Sequence, residues 1–502
     1  MSHHQTKHKW WVLVGTCIAG LVVALDFTIV NTVLSDMQYD LSASMHELQW
    51  FIAGFGITFC SFMTTMGKLA DMLGRKKLLY VGMFVFTIAS IGAGVSDVSI
   101  QLIICRLIQG IAGALIFPAG MAITVDAFPK EEEGRALGIY GSIMGIGLAF
   151  GPLLGGLITE VASWRWVFYI SVPLMIASFI IISLTARESK LAVKPKIDWW
   201  GMFWLTIFIS SIIYILTEGD LYGWSSLTTI SIFTLSLLAF IFFIITEYKT
   251  KSPLLPLSLF KNHYVLIGCI IYTICVSSAW VISFYSPLYL ATVFKFNPGE
   301  IGLMMLVMTV FTAIIPAFAG GLYDKKGLHV AVRLVFIPLI LSYILFIALY
   351  YTTNLWVLIF AFALFGVAWG AGNGIGMPVS LSKLESNDDV GVVSGAVLTV
   401  FNTLGVIFLT LAGIIFYHIQ KSVLISSFKL KEVQLTEEKV SLINQLVNDP
   451  QKKQQILDQI ASLPSTELAK IYQQSFLSGY ISIAFILLCI TVLAFVIYKV
   501  LK

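Results

Sequence analysis

Fourteen stretches of about 20 mostly apolar residues follow one another along this chain, and that succession restricts the fold more than any other feature. No water reaches the core of a bilayer to satisfy a free N–H or C=O, so a chain crosses it as helices or as a closed barrel. Unbroken runs of this length read as helices. They fall near 11–34, 47–67, 78–96, 99–125, 134–160, 166–186, 198–216, 227–246, 263–290, 299–322, 329–351, 355–380, 391–419 and 474–499, here helix 1 to helix 14. The expected fold class is an all-α polytopic membrane protein. Only 12% of the residues are charged, against roughly 25% in soluble chains, so most of the surface is not made for water. The net charge of +4 is small and gives no reason to expect a nucleic-acid partner. The six cysteines all lie in apolar runs and read as small hydrophobes.

Lysine and arginine in short loops set the orientation. With the N-terminus in the cytoplasm, 21 of the 31 fall on cytoplasmic segments. Short outside loops hold Arg165 and Lys295, seven more lie in one long outside segment, and Arg106 lies inside a helix. Both termini are therefore expected in the cytoplasm of a cell whose plasma membrane (a bacterial inner membrane) holds the chain. The run after Lys7 and Lys9 is too long for the apolar region of a cleaved signal peptide, so none is expected.

The chain repeats itself. Gly67-Lys-Leu-Ala-Asp71-Met-Leu-Gly74 follows helix 2, and Gly320-Gly-Leu-Tyr-Asp324-Lys-Lys-Gly327 follows helix 10. Helix 4 carries Gly110 through Pro118 and helix 12 carries Gly370 through Pro378, with the same spacing from first Gly to Pro. Both pairs are offset by eight helices. That predicts two six-helix bundles, residues 1–190 and 251–502, with two inserted helices in 191–250 between them. Parallel repeats of this kind place a small-molecule substrate between the halves, near the midplane.

Asp26 is the sharpest single residue. It lies past the middle of helix 1, and no other carboxylate sits near the centre of a span. A charge there costs about 2.5–3.5 kcal/mol on insertion scales and marks a functional site by default. An exporter driven by a proton gradient needs a membrane carboxylate that takes up and returns a proton; a structural hydrogen-bonding aspartate is the alternative. Arg106, several residues inside helix 4, needs a partner or a watery cavity at that depth. It could tune Asp26 or gate proton access, or it could snorkel to the interface.

The Gly67–Lys77 loop joins tight-turn glycines Gly67 and Gly74 to a basic cluster. Asp71 could cap a helix of the other half. Arg75 and Asp126 could pair, and contacts that form in one state and break in the other would make a cytoplasmic latch. Helix 5 holds Gly138, then Gly147-Leu-Ala-Phe150-Gly151-Pro152-Leu-Leu-Gly155-Gly156. Small residues four apart permit close helix approach, and Pro152 permits a bend.

These motifs together resemble the major facilitator superfamily, and within it the fourteen-helix drug:proton antiporter family. Residues 67–79 are similar to its loop signature, with Met72 where an Arg is usual. Residues 25–31, Leu-Asp-Phe-Thr-Ile-Val-Asn, resemble its helix 1 signature, with Ser35 where a Pro is usual. Arg106 to Gly110, Gly138 to Gly156 and Trp164-Arg165-Trp166-Val-Phe168 resemble its signatures in helices 4, 5 and 6. The resemblance implies the major-facilitator fold with fourteen helices and outward carriage of drugs or metabolites in exchange for protons. It implies Asp26 as the proton site, Arg106 as its coupling partner, and Asp71, Arg75 and Asp126 as charge relay and latch. Some multidrug members have further membrane carboxylates in the second half; none is found centrally in helices 10 or 13 here, which makes divalent cationic drugs a poor fit.

Asn31, Phe150, Asn373, Phe401 and Asn402 could line a cavity, although the asparagines could equally bridge helices. Residues 420–473 read as an outside helical hairpin. Val440, Ile443 and Val447 form one apolar face after Thr436 as N-cap, and Ile456, Ile460 and Leu463 form a second. It could cap the outer mouth, gate release or dock a periplasmic adaptor. The histidines of the N-terminal tail read as solvated, and no metal site is expected. No HExxH, P-loop or nucleophile elbow occurs, so an enzyme is not expected, ATP is not the direct driver, and no cofactor is expected beyond the proton gradient. The expected function is proton-coupled export of drugs or amphipathic small molecules. A dedicated exporter of one metabolite, such as a siderophore or lipid-like compound, is the alternative, and a membrane enzyme or receptor a remote one.

Overall fold

The computed structural model describes residues 8–129, 132–188, 198–250, 253–255, 257–352, 354–382, 390–433, 435–448, 453–460 and 463–501. Among them every regular element is a helix. Fourteen are long: α1 Lys9–Thr32, α2 Met45–Leu73, α3 Arg75–Gly94, α4 Ser99–Ala127, α5 Glu133–Val161, α6 Ser171–Thr185, α7 Trp199–Tyr222, α8 Leu227–Lys249, α9 His263–Tyr289, α10 Pro298–Lys326, α11 Leu328–Ala348, α12 Leu355–Leu381, α13 Val390–Leu430 and α14 Ser465–Leu501. Among the described residues thirteen spans are long and apolar enough to cross a membrane. The other long helix, α2, has 29 residues, or about 43 Å, which also exceeds a bilayer core. The chain is an integral membrane protein of the expected fold class.

Helix ends follow their capping chemistry. Ser44 and Glu47 form a capping box at the start of α2, and Asn297 and Glu300 form one at α10, where Pro298 takes the first helical position. Gly74 holds φ at +117° between α2 and α3, a conformation that L side chains rarely adopt, so the tight turn there needs glycine. Glu188, just past α6, accepts the Lys76 and Lys77 N–H groups at 3.0 and 3.1 Å. Lys76 Nζ in turn donates to the Ala186 carbonyl at 2.6 Å. The start of α3 and the end of α6 thus satisfy each other's orphan groups and dipoles.

The first half gathers α1 against α4, α5 and α6, with α2 and α3 on α4. The second gathers α9 against α12, α13 and α14, with α10 and α11 on α12. Of the inserted pair, α8 packs on α7, and α7 lies against both α2 and α13. The halves meet along two seams, α5 on α10 and α2 on α13. Among the described residues, contacts between the halves are seen toward the end that carries the hairpin. There Gln49 donates to Tyr285 Oη at 3.1 Å, and a Cβ at Gly302 would stand 2.7 Å from the Pro152 carbonyl oxygen. Toward the other end, that of the basic 67–77 loop, added Cβ atoms at Gly141 of α5 and Gly321 of α10 would meet nothing within 4 Å.

The hairpin forms as two short helices, Glu437–Asn448 and Lys453–Ile460. Thr436 Oγ1 accepts from Lys439 N at 3.4 Å. Ile443, Leu446, Val447, Ile456, Leu457 and Ile460 are buried. α13 runs to Leu430, past its expected end near 419, because Leu424 and Phe428 continue its buried face. The hairpin is correspondingly shorter than 420–473.

At the hairpin end Arg165 pairs with Asp40 and lies 3.5 Å from Asp97, and Trp164 Nε1 donates to Asp40 at 2.9 Å. These donors, Arg165 first, hold the Asp40 carboxyl below the usual carboxylate range. A depressed value stabilises the fold above the unfolded carboxylate value of about 3.9 and loses that contribution as pH falls through the folded value. Wild type should therefore outlast Asp40→Asn in thermal unfolding at pH 7, by a margin that shrinks toward pH 3. A margin unchanged by acid would refute the ion pair as its source.

Candidate functional site

Asp26 lies inside the first bundle, 2% exposed. Five segments converge on it. α1 supplies Asp26, α4 supplies Arg106 and Gln109, and α3 supplies Ser90. α2 contributes the Phe51 carbonyl and the Phe55 ring, and the short helix Trp166–Tyr169 contributes Phe168. Arg106, 1% exposed, pairs through Nη1 with Asp26 Oδ2, so it does not snorkel. The same nitrogen donates to Gln109 Oε1 at 2.8 Å, and Nε donates to the Phe51 carbonyl at 2.8 Å. The guanidinium stands 4.7 Å from the Phe55 ring centroid and 6.0 Å from that of Phe168. Gln109 Nε2 donates to Asp26 Oδ1 at 3.3 Å and to Ser90 Oγ at 2.9 Å. Both carboxylate oxygens are therefore taken. A buried ion pair needs such additional hydrogen bonds around it to offset its desolvation.

α5 places its small residues on two faces. Cβ atoms at Gly147 and Gly155 would stand 3.0 Å from the Leu21 carbonyl oxygen and 2.7 Å from that of Ile29, and Gly151 abuts Thr28. This ridge seats α1 on either side of Asp26. Gly156 and Pro152 face α10, where Gly156 meets Pro298 and Pro152 meets Gly302. Gly138 lies in the first turns of the same helix.

The loop residues are partly brought together. Arg75 Nη1 pairs with Asp126 Oδ2 at 2.5 Å, which ties α3 to α4 within one half. Gly67 lies against Pro118 of α4. The side chain of Asp71, which carries the expectation of a contact to the other half, lies outside the described residues, as does that of Asn402. Phe401 stacks on Tyr272 with centroids 4.6 Å apart, and Tyr272 Oη donates to the Asn373 carbonyl at 3.3 Å. Asn31 is 4% exposed, and Phe150 is exposed on α5.

Three residues go beyond the motif reading. Gln109 closes the second oxygen of Asp26, and its spacing of three from Arg106 on one helix was the available signal. Trp280 of α9 meets Phe27 across the halves, rings 4.4 Å apart and edge to face. Glu188 caps α3. Neither Trp280 nor Glu188 announces its partner, which lies on a distant segment.

The family model described as Major Facilitator Superfamily matches residues 16–410. The chain is similar to Multidrug resistance protein 3 of Bacillus subtilis, 32% identical over 63% of this chain and 62% of that protein. It thus spans somewhat under two thirds of that relative's length. It is similar to Multidrug transporter protein MdtP of Bacillus subtilis, 29% identical over 79% of this chain and 73% of that protein. It is also similar to the Riboflavin transporter RibZ of Clostridioides difficile, 30% identical over 73% and 79%. Among solved structures it shares its fold with a bacterial homolog to the human lysosomal transporter Spinster, at TM-score 0.69 and 15% identity, over 97% of this chain and 96% of that one.

Proposed function

The chain belongs to the Major Facilitator Superfamily and is a membrane transporter rather than an enzyme, and from that premise we propose that it exports drug-like amphipathic small molecules in exchange for protons by alternating access. The basic end of the bundle faces the cytoplasm of a cell whose plasma membrane holds the chain, by the excess of Lys and Arg there. The inward mouth then lies at that end of the junction between the halves. The boundaries near 190 and 250 separate two moving bundles from the inserted pair.

The observation that carries the reading is the Asp26–Arg106–Gln109 cluster at mid-span. When Asp26 takes a proton, Arg106 loses its counter-charge, while its Nε bond to the Phe51 carbonyl persists. The tie between α1 and α2 through Arg106 is thereby weakened. Phe27, next to Asp26, meets both the Phe55 ring of the cluster, centroids 6.3 Å apart, and Trp280 of the other half. A change in the pairing of Asp26 thus reaches the seam through one residue. Asp71, Arg75 and Asp126 act as relay and latch at the cytoplasmic end. No cofactor takes part beyond the proton gradient.

The cargo follows the relatives, two of which are named for multidrug resistance or transport. The riboflavin transporter among them favours, as a second reading, a dedicated exporter of one metabolite. Purified protein in proteoliposomes tests the proposal: a drug-like dye should move only while a pH gradient is imposed, and a protonophore should stop it. Movement at the same rate without a gradient would remove proton coupling, and no movement of any dye or metabolite would remove export.

A further inference from the structure

Among the described residues, buried polar atoms on α1, α9 and α13 have no hydrogen-bond partner. On α9 the indole N–H of Trp280 and the hydroxyl of Ser277, three residues apart on one face, lack a hydrogen-bond partner. So do the Thr403 hydroxyl of α13 and the Asn31 side-chain oxygen of α1. These residues are 3%, 1%, 8% and 4% exposed. Asn31 stands one turn from Phe27 on the face of α1 that meets Trp280. A Cβ at Gly405 of α13 would stand 2.8 Å from Trp280 Nε1, so glycine lets α13 lie this close to the indole edge.

Buried polar groups are almost always paired, and each exception asks for an explanation. These four groups stand on α1, α9 and α13, helices drawn from both halves, and where the halves must part during transport they point to a partner that comes and goes. We infer that Trp280, Ser277, Thr403 and Asn31 form the hydrogen-bonding wall of the substrate site, and that this wall takes flat aromatic molecules that are neutral and carry carbonyl or hydroxyl oxygens. The inference rests on the export reading and narrows its cargo. The indole N–H and the two hydroxyls donate to acceptor oxygens, and the Asn31 oxygen accepts one hydroxyl or N–H. The Phe27 and Trp280 rings supply the stacking surface. The wall offers a cation no counter-charge. Among the described residues Asp26 is the mid-span carboxylate, and Arg106 and Gln109 occupy both of its oxygens. A site built to hydrogen-bond its ligand rejects an analogue that lacks the bonding group.

Trp280→Phe keeps a ring and deletes the N–H. Equilibrium binding to the full-length protein in detergent would compare riboflavin, a neutral tricycle rich in ring acceptors, with ethidium, a flat permanent cation without acceptor oxygens. Riboflavin should bind wild type, and Trp280→Phe should weaken it about tenfold, the worth of one good hydrogen bond, while ethidium changes little. Ser277→Ala should act in the same direction and stands in if Trp280→Phe fails to fold. Equal losses for both compounds, no loss for riboflavin, or wild type that binds ethidium but not riboflavin would overturn the assignment. Riboflavin bound through Trp280 but never moved by a pH gradient would overturn the export reading and leave the binding wall standing.

Discussion

Asp26→Asn should reduce gradient-driven export by about a hundredfold or more, the order of what losing a proton-transfer group costs a process that depends on it. The chain should still fold and bind cargo. Asparagine stands in for the neutral, protonated carboxyl, a state through which the proposed cycle itself passes, so the bundle must tolerate it. Its side-chain oxygen still accepts from Arg106, and the Phe51 carbonyl and Gln109 still hold the guanidinium. The measurement is efflux from proteoliposomes under an imposed pH gradient, beside cargo binding by the same preparation. Export at the wild-type rate would dismiss Asp26 as the proton site. Lost binding together with lost export would make it a structural residue.

Arg106→Met should cost about 3–5 kcal/mol of stability, because it leaves a buried carboxylate without its partner. Adding Asp26→Asn to that variant should recover much of the loss, since the unpaired charge is then gone. The two changes should therefore be strongly non-additive in a double-mutant cycle read by thermal unfolding in detergent. Arg106→Lys should not restore the parent. An ammonium is a point donor, whereas Nε and Nη1 of Arg106 serve the Phe51 carbonyl, Asp26 and Gln109 at once from one rigid plane. Additive losses would mean that the pair contributes nothing as a pair.

The spans and their order were legible because apolar runs of fixed length have one solution in a bilayer, and the observed helices fall on those runs. Asp26 and Arg106 stood out because charge at such depth is costly, and each proved to be the other's partner. The glycines of α5 announced close packing but not that they divide between two neighbours. Residues three or four apart share a face, and the sequence is silent on which helix lies opposite. Trp280 was hidden for the opposite reason. A tryptophan in an apolar helix looks like core or lipid-facing bulk until Phe27 and two bare glycines, Gly56 and Gly405, are seen around it. Glu188 looked like one more charge after a span, and only the fold brings it to the first N–H groups of α3.

The divided face of α5 bears on speed as well as shape. Interlocked side chains must climb out of one another before helices slide, and that climb is a kinetic barrier. Along Gly147, Gly151 and Gly155 the helix lies close on α1 within its own bundle, and at Gly156 it meets the α10 backbone of the other with no side chain of its own to unseat. If the halves part as proposed, a helix built this way would work as a bearing on its α10 flank, close in contact yet with little to unseat.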